Sequence, residues 1–278
     1  GAADTVPWVW TETNDMAATG QPAGPDKLCF RVPCAAFTDT RLQCFGTCVT
    51  AGNLTASAWP ELVADFITKL TAAQFHVNNA TLIAAMVSGS TAVTGTSSAT
   101  EANQGTYAPL AGNIELQAID YRLKHGMCDN DVLEVVLPTW VRGMIRSDLA
   151  KRNGVDLLSV TDGQIAGFFN DRGVRVQYVQ DWQIGVTGFL GLTTPATTWP
   201  DNVTFLIYAA GTWAKLQGLQ LNLGVVRDST LNSTNDYTAG WTEDCNTVVK
   251  IGHESRAVFV DVSATGVTAQ QVDLTVAA

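Results

Sequence analysis

Charged residues are scarce in this chain. They make up 15% of its 278 residues, and 16 Lys and Arg stand against 26 Asp and Glu. The resulting net charge of −10 argues against a dedicated nucleic-acid binder, which would carry a basic patch or stripe. So low a charged fraction is unusual for a small soluble monomer, and it indicates that partners cover much of the surface. The apolar fraction of 46% is ample for a sizeable core.

Long apolar runs and catalytic motifs are also missing from the sequence. No apolar run approaches the roughly 18 residues that a membrane span needs. His76, His125 and His253 lie far apart, and none has a metal-type partner at helical spacing. There is no G-x-S-x-G elbow, H-E-x-x-H pair or Walker loop. We therefore expect no enzyme, no cofactor, no bound metal and no membrane association.

Residues 132–181 are the most informative stretch. The apolar, β-branched run 132–137 predicts a strand that Pro138 ends. A helix with a 3.6-residue apolar period follows from Thr139. Gly154 stands where a left-handed residue would end that helix.

The second half of this stretch predicts a helix and a strand. Thr161 and Gln164 have the spacing of a capping box, and the helix they open runs to about residue 172. Residues 174–178 alternate between apolar and polar, as a half-buried strand does. The whole stretch predicts a compact strand–helix–helix–strand unit with little sign of a catalytic site.

Residues 58–87 predict the longest helix of the chain. Its apolar stripe consists of Trp59, Leu62, Val63, Phe66, Ile67, Leu70, Ala73 and Val77. About 30 residues at 1.5 Å per residue make a rod of about 45 Å, which needs a sheet to lie on. We expect Phe66 to belong to the core, so that Phe66→Ala would cost about 3–5 kcal/mol. His76 and residues 78–79 are interpreted as solvated positions.

The remaining segments predict further strands around these helices. We expect a flexible loop at 14–26, a mobile loop at 88–106 and a helix over 107–126. Further strands are predicted at 6–11, 28–32, 42–50, 203–210, 219–227, 247–251 and 256–262. The nearly continuous apolar run 203–210 is typical of a central strand. The order indicates an α+β chain whose last strands rejoin the first.

Three stretches resemble major capsid proteins of tailed bacteriophages of actinobacteria. TWVRGMIRSDLAKRNGVDLLSVTDGQIAGFFNDRGVRVQYVQDW resembles the central domain of that family. GTWAKLQGLQLNLGVVRDSTLNSTNDY and CVTAGNLTASAWPELVADF are similar to two of its other segments. Together they cover about a third of the chain and fall in the family's order.

The resemblance implies the Hong Kong 97-like capsid fold. That fold has an N-terminal arm, an extended hairpin loop, a peripheral domain with a long spine helix, and an axial α/β domain. The arm and hairpin loop would be residues 1–56, and the spine helix with the mobile loop 57–106. The axial domain would be 107–225, and the return strands of the peripheral domain with the C-terminal tail 226–278.

The resemblance also implies a structural role in the virion. Subunits would assemble in the bacterial host cytoplasm into hexamers and pentamers of an icosahedral head around double-stranded DNA. The implied partners are other copies of the chain, a scaffolding protein or segment, the portal, a decoration or minor capsid protein, and DNA packaged without sequence preference. Alternatives are an encapsulin that packages a cargo enzyme and, more distantly, a secreted carbohydrate-binding protein.

Trp8 and Trp10 are candidate inter-subunit anchors. They lie in an acidic arm without a basic residue before Lys27. Ordering such an arm costs about 1–2 kcal/mol per residue in backbone entropy, so it needs a surface to cover. A neighbouring subunit would supply that surface. The alternative is packing within the chain's own sheet.

Lys27, Arg142 and Arg146 complete the candidate contacts. In relatives of the resembled fold, a Lys on the hairpin loop forms an isopeptide bond with an Asn of a neighbour, promoted by a Glu. Lys27 lies in the matching region, although no motif places the Asn or the Glu. Arg142 and Arg146 are four residues apart on a helix. We expect them to pair with acids of a neighbour, and phosphate binding is the alternative.

Four of the six cysteines cluster near the N-terminus. Cys29, Cys34, Cys44 and Cys48 are separated by four, nine and three residues, whereas zinc ribbons use two-residue spacers. Thiols usually stay free in a reducing cytosol. Buried thiols are therefore the preferred interpretation. A disulfide formed after release from the cell and a zinc site remain alternatives.

Overall fold

The computed structural model describes residues 10–17, 39–95, 105–154, 159–184 and 199–262. Contacts divide the chain into two units, Gly1–Thr40 and Arg41–Ala278. The helices within the described ranges are α1 (Glu12–Ala17), α2 (Asn53–Ala58), α3 (Pro60–Ser88), α4 (Tyr107–His125), α5 (Thr139–Asn153), α6 (Asp162–Asn170) and α7 (Ser229–Asn232). The strands are β1 (Gln43–Gly52), β2 (Thr91–Thr94), β3 (Leu133–Pro138), β4 (Val174–Val179), β5 (Asn202–Ala209), β6 (Trp213–Leu223), β7 (Asp236–Lys250) and β8 (Ser255–Asp261).

The described part of the first unit contains the short helix α1. The Thr11 hydroxyl donates to Asn14 Oδ1 at 2.9 Å, and the Asn14 amide donates to the Thr11 carbonyl at 2.9 Å. The loop predicted from residue 14 is therefore wrong as far as Ala17, because the Thr11–Asn14 contacts close the first turn and the acidic Glu12 lies at its favourable positive end. The strands predicted at 6–11 and 28–32 lie almost entirely outside the described residues.

The second unit contains a three-stranded antiparallel sheet in the order β1-β7-β6. Its central strand β7 pairs with β1 along ten positions, from Gln43 opposite Asn246 to Gly52 opposite Asp236. The first and the late strands of this unit therefore lie side by side, as the sequence predicts.

A five-stranded mixed sheet follows the order β2-β8-β5-β3-β4. β3 and β4 are parallel, and so are β2 and β8, whereas β5 is antiparallel to both of its neighbours. β5 is buried on both faces, which confirms the central strand predicted from its apolar run. One face of the sheet joins α4, α5 and α6 through Leu133, Val135, Leu137, Val203, Phe205, Ile207, Val258 and Val260. The opposite face presents Val136, Leu206, Tyr208 and Ala257 to the end of α3.

The strand–helix–helix–strand unit is confirmed as β3, α5, α6 and β4. The Gln164 amide donates to Thr161 Oγ1 at 3.3 Å, and the Thr161 amide donates to Gln164 Oε1 at 3.0 Å, so the capping box is formed. Gly154 is left-handed, with φ of +61°. α6 ends at Asn170, earlier than the predicted residue 172.

A buried acid caps α4 from a distant helix. Asp148 of α5 is fully buried and accepts the amides of Thr106 and Tyr107 at 3.2 and 2.8 Å. These amides lie at the positive end of α4, where a carboxylate is favourable. At the other end α4 stops at His125, as the helix predicted over 107–126 requires, and Gly126 adopts the left-handed conformation of a C-cap. Leu123 is exposed.

α3 is the predicted long helix, and it packs on both sheets. Val63, Ile67 and Leu70 contact the cluster of Val49, Tyr237 and Ala239 on β1 and β7. Further along, Met86 and Val87 join the cluster on the five-stranded sheet. One helix therefore connects the two sheets of the second unit.

Three expectations about this region are wrong. The Phe66 side chain is 49% exposed, because the helix meets β1 and β7 through the neighbouring positions 63, 67 and 70. Asn78 is buried, and His76 Nδ1 lies 2.8 Å from Asp181 Oδ1, because the second half of α3 continues across the protein. The loop predicted at 88–106 contains β2, whose β-branched residues extend the edge of the sheet beside β8. Across the described residues, none of the helices has the length and apolar character needed to cross a bilayer.

We predict that the buried hydroxyl of Tyr121 holds α4 to the five-stranded sheet. It donates to the Glu254 carbonyl at 2.7 Å and accepts the Ala209 amide at 3.4 Å. Tyr121→Phe should lower the free energy of unfolding by about 1–3 kcal/mol, because two buried backbone groups lose their partner. Urea denaturation of the subunit measures this.

Tyr178→Phe is the matched control. Burial raises the pKa of Tyr178 to about 12, and its hydroxyl has no hydrogen-bond partner among the described residues. Removing that hydroxyl should leave stability unchanged or slightly higher. Equal losses in both variants would contradict the role given to Tyr121.

Candidate functional site

The histidines form no catalytic constellation within the described residues. His76 pairs with Asp181, and His125 Nε2 lies 2.8 Å from Glu254 Oε2. Each of these two histidines therefore pairs with a carboxylate from a distant part of the chain. No nucleophile of the described residues is hydrogen-bonded to either histidine.

Cys44, Glu243 and Cys245 bring three metal-type ligands together among the described residues. The two sulfurs are bonded to each other as a disulfide, so they are not available to a metal. The interpretation as buried free thiols is therefore wrong for this pair. It is also wrong for Cys48 and Cys128, whose thiols are free but exposed. Cys29 and Cys34 lie outside the described residues.

The first open apolar surface lies along α3. We call Trp59, Leu62, Phe66 and Val77 the spine face, and these side chains are 61%, 55%, 49% and 52% exposed. An α-helix turns about 100° per residue, so positions 62, 66 and 77 lie within about 60° of one another. They form one half of the predicted stripe, and the other half packs on β1 and β7. The stripe is too broad for a single sheet to cover.

The second open apolar surface lies on the three-stranded sheet. Leu216, Leu219 and Leu223 of β6 are exposed, and so is Trp241, which lies opposite Leu223 on β7. β6 is also an edge strand of this sheet. An edge strand of 11 residues with exposed Leu side chains is a place where another chain can pair or pack.

Arg142 and Arg146 pair with the same acid of their own chain. Arg142 Nη1 lies 3.3 Å from Asp162 Oδ2, and Arg146 forms an ion pair with the other carboxylate oxygen of Asp162. Arg142 also stacks over the Tyr178 ring at 5.3 Å. Two cations share one anion, so the group keeps one net positive charge. Pairing of these arginines with a neighbouring subunit stays a prediction.

The other candidate contacts are placed as follows. Trp10 is half-buried in the first unit, two residues before α1. Trp8 and Lys27 lie outside the described residues.

A polar cluster joins the end of α4 to the start of β8. The Glu254 carboxylate contacts Lys124 and His125 at 2.8 Å each and Arg256 at 3.1 Å. Arg256 is nearly fully buried and also contacts Asp120 at 2.5 Å. Burial by itself raises the pKa of Glu254, but hydrogen bonds from Lys124, His125 and Arg256 outweigh it and lower the pKa to about 2. Such a cluster stabilises the fold, and it contains no open position for a substrate.

A groove of about 400 Å³ lies between α4 and α6. Its two arginines are already engaged: Arg122 donates to the carbonyls of Asp131, Arg172 and Gly173, and Arg172 pairs with Glu115 at 3.3 Å. The groove therefore presents an apolar floor beside arginines that already have partners. Nothing in it resembles a catalytic pair.

Sequence reasoning missed the exposure of one half of the α3 stripe. The spine face carries a signal that could have revealed it, since apolar residues occupy more than one side of the helix. Such a helix is covered on more than one side. The Glu254 cluster carries no comparable signal, because its members come from residues 117–125 and 254–256.

The comparisons with known proteins concern the fold. No protein-family model matches the chain, and no curated protein matches its sequence. Among solved structures, the capsid of Myoviridae Phage XM1 matches with a TM-score of 0.50 and 10% identity, over 78% of this chain and 73% of that one. The α+β fold of this chain is therefore a phage capsid fold, as the sequence predicts.

Two other solved structures are weaker likenesses. A chain of Mycobacterium phage Che8 matches with a TM-score of 0.44 and 14% identity, over 90% of this chain and 81% of that one. A virus-like particle from Pyrococcus furiosus matches with a TM-score of 0.44 and 10% identity, over 79% and 76%. Both are too distant to support a functional conclusion.

We predict that Glu254 contributes to stability at neutral pH and loses this contribution in acid. Its folded-state pKa is lowered, so the contribution is complete above the ordinary carboxyl pKa of 4.5 and falls as the pH drops toward 2. Glu254→Gln should cost about 1–2 kcal/mol at pH 7, since partial exposure of Lys124 and His125 screens the charges.

Denaturant midpoints of both proteins between pH 7 and pH 3 measure this effect, and the difference should shrink across the acid range. Glu115→Gln is the matched control, because its ion pair with Arg172 is solvent-exposed and should contribute little. A difference between wild type and Glu254→Gln that stays constant down to pH 3 would contradict the prediction.

Proposed function

We propose that this chain is a major capsid protein of a tailed bacteriophage. Copies of it assemble into hexamers and pentamers of an icosahedral head that encloses double-stranded DNA. Its role is structural and not catalytic, and it resides in the virion after assembly in the host cytoplasm. Support comes from the capsid fold shared with phage XM1 and from the open apolar surfaces of the subunit.

The observation that carries the proposal is the spine face. A subunit that remained a monomer would leave the large apolar side chains of Trp59, Leu62 and Val77, at the start of α3 and along it, more than half exposed. Contiguous patches of this kind mark protein contacts. The surface of β6 adds a second patch on a different element. A closed shell needs each subunit to have more than one contact surface.

The composition of the chain fits a wall around DNA. With a net charge of −10 and 16 basic residues, it has few cations with which to neutralise phosphates. Affinity for DNA without sequence preference comes mainly from such neutralisation. We infer sparse, sequence-independent contacts with packaged DNA.

The proposal includes a division of labour along the chain. The arm and hairpin loop (1–56) reach neighbours, and Trp8, Trp10 and Lys27 belong to that region. Residues 57–106 and 226–278 form the peripheral domain, and 107–225 form the axial domain. Scaffolding, portal and decoration or minor capsid proteins are the further partners of such a shell.

Electron microscopy of particles purified from the producing bacterium, with their nucleic acid measured, tests the proposal. We expect closed icosahedral shells that contain double-stranded DNA. Shells with a cargo enzyme and no DNA would contradict a phage head and indicate an encapsulin. A monomer at all concentrations, or a monomer that binds glycans, would contradict a shell altogether.

We predict that Phe66→Ala separates assembly from folding. With the side chain half exposed, the substitution should cost the subunit about 1 kcal/mol or less. Shell yield should nevertheless fall sharply if the spine face is a contact surface. Denaturant unfolding reports the subunit, and sedimentation with electron microscopy reports the shells.

Phe169→Ala is the matched control for this experiment. Phe169 is fully buried in the main core, so the substitution should cost the subunit about 3–5 kcal/mol. If Phe66→Ala formed shells in normal yield, the spine face would not be an assembly contact. A loss of subunit stability as large as that of Phe169→Ala would place Phe66 in the core.

A further inference from the structure

We propose that Cys44 and Cys245 form a redox-controlled staple in the shell subunit. In this proposal both thiols are reduced while the subunit folds and assembles. Oxidation of the completed particle then joins them and fixes the start of β1 to β7. The timing rests on the proposed function, whereas the staple itself concerns the subunit alone.

The pairing of the strands places the two sulfurs together. Cys44 lies directly opposite Cys245 in the antiparallel ladder of β1 and β7, and their sulfurs are bonded. The two residues are 201 positions apart in sequence, so the bond closes a loop that contains most of the second unit. A cross-link over so long a loop restricts the unfolded chain strongly in the chain-entropy model.

The position of Cys44 means that the bond stabilises the start of β1. Cys44 is the second residue of β1 and lies just after the boundary between the two units at Thr40. β1 is an edge strand, and the ends of edge strands open before the core does. A bond at this end therefore holds the start of β1 against β7.

A glycine of β6 lies beside Cys245. A Cβ at position 218 would collide with the end of the Leu42 side chain and contact the Cys245 backbone oxygen at 3.4 Å. The glycine therefore leaves room for Leu42 beside Cys245. The three strands meet at this place around Cys245.

The two cysteines differ in exposure. Cys44 is exposed, whereas Cys245 is 6% exposed. Cys44 is therefore the thiol that an external oxidant meets first.

The reaction needs a small-molecule disulfide such as oxidised glutathione as its oxidant. The Cys44 thiolate attacks one sulfur of the oxidant, forms a mixed disulfide and releases one thiolate. Cys245 then loses its proton and attacks the Cys44 sulfur, which releases the second thiolate. Two protein thiols lose two protons and two electrons, and one oxidant molecule becomes two thiols.

The subunit does not depend on this bond for its main core. The largest buried side chains, such as Tyr121, Phe169 and Phe205, belong to the cluster on the five-stranded sheet. Cys44 and Cys245 lie on the other sheet. Reduction should therefore loosen β1 and leave the global fold intact.

Mass spectrometry of the full chain tests the pairing. The protein is treated with oxidised glutathione or dithiothreitol, alkylated with N-ethylmaleimide and digested. After oxidation we expect a disulfide-linked peptide that contains Cys44 and Cys245. After reduction we expect both of these residues to be alkylated. Full alkylation of either residue after oxidation, or a bond from Cys44 to Cys29, Cys34 or Cys48, would overturn the staple.

Amide hydrogen exchange of the same samples tests its effect. Exchange across residues 43–48 should be at least about tenfold faster in the reduced protein, because the end of an edge strand opens locally once the bond no longer ties Cys44 to β7. Cys44→Ser should exchange fast under both conditions, and Cys48→Ser, on the same strand, should behave as wild type. Equal exchange in oxidised and reduced wild-type protein would contradict the proposal without reference to any variant.

The timing is tested on particles. Wild-type subunits should assemble in dithiothreitol, and the particles should then gain the bond and a higher melting temperature on oxidation. Particles that cannot form the bond, or a Cys44→Ser particle with the same gain, would refute this step. If no particles form, the proposed shell function fails, while the two measurements on the subunit still decide the staple.

Discussion

Both faces of the five-stranded sheet must be covered, and the arrangement of the second unit follows from this constraint. β5 alternates Phe205 and Ile207 toward α4, α5 and α6 with Leu206 and Tyr208 toward α3. The backbone N–H and C=O groups of this buried strand have no access to water, so the neighbouring strands must satisfy them. Because both faces of β5 are apolar, helices must cover it on one side and the end of α3 on the other.

α3 transmits this constraint to the second sheet. Its last turns complete the five-stranded sheet, and its first half lies on β1 and β7. A helix that packs on two sheets cannot also turn its remaining apolar side inward, so the spine face stays partly exposed. In the proposed shell, the helix that connects the two sheets of the chain would also present a contact surface.

The polar interactions of the protein connect elements that lie far apart in the chain. Asp148 of α5 caps α4, the Tyr121 hydroxyl joins α4 to β5, and Glu254 gathers cations from α4 and β8. Each of these three groups is stabilised by partners whose positions depend on the complete fold. These contacts fix the core of the chain, while the proposed capsid role requires adaptable contacts at its periphery.

Local elements of this protein could be predicted from its sequence, since their determinants lie within a few residues. The Thr161 capping box, Gly126, Gly154 and the two-sided apolar strand β5 are examples. Tertiary structure alone decided which half of the α3 stripe is covered, that Arg142 and Arg146 share Asp162, and that Cys44 lies opposite Cys245. The physical reason is that capping and periodicity act between neighbours along the chain. Coverage, charge pairing and sulfur pairing instead depend on segments that only the folded chain brings together, in one case across 201 residues.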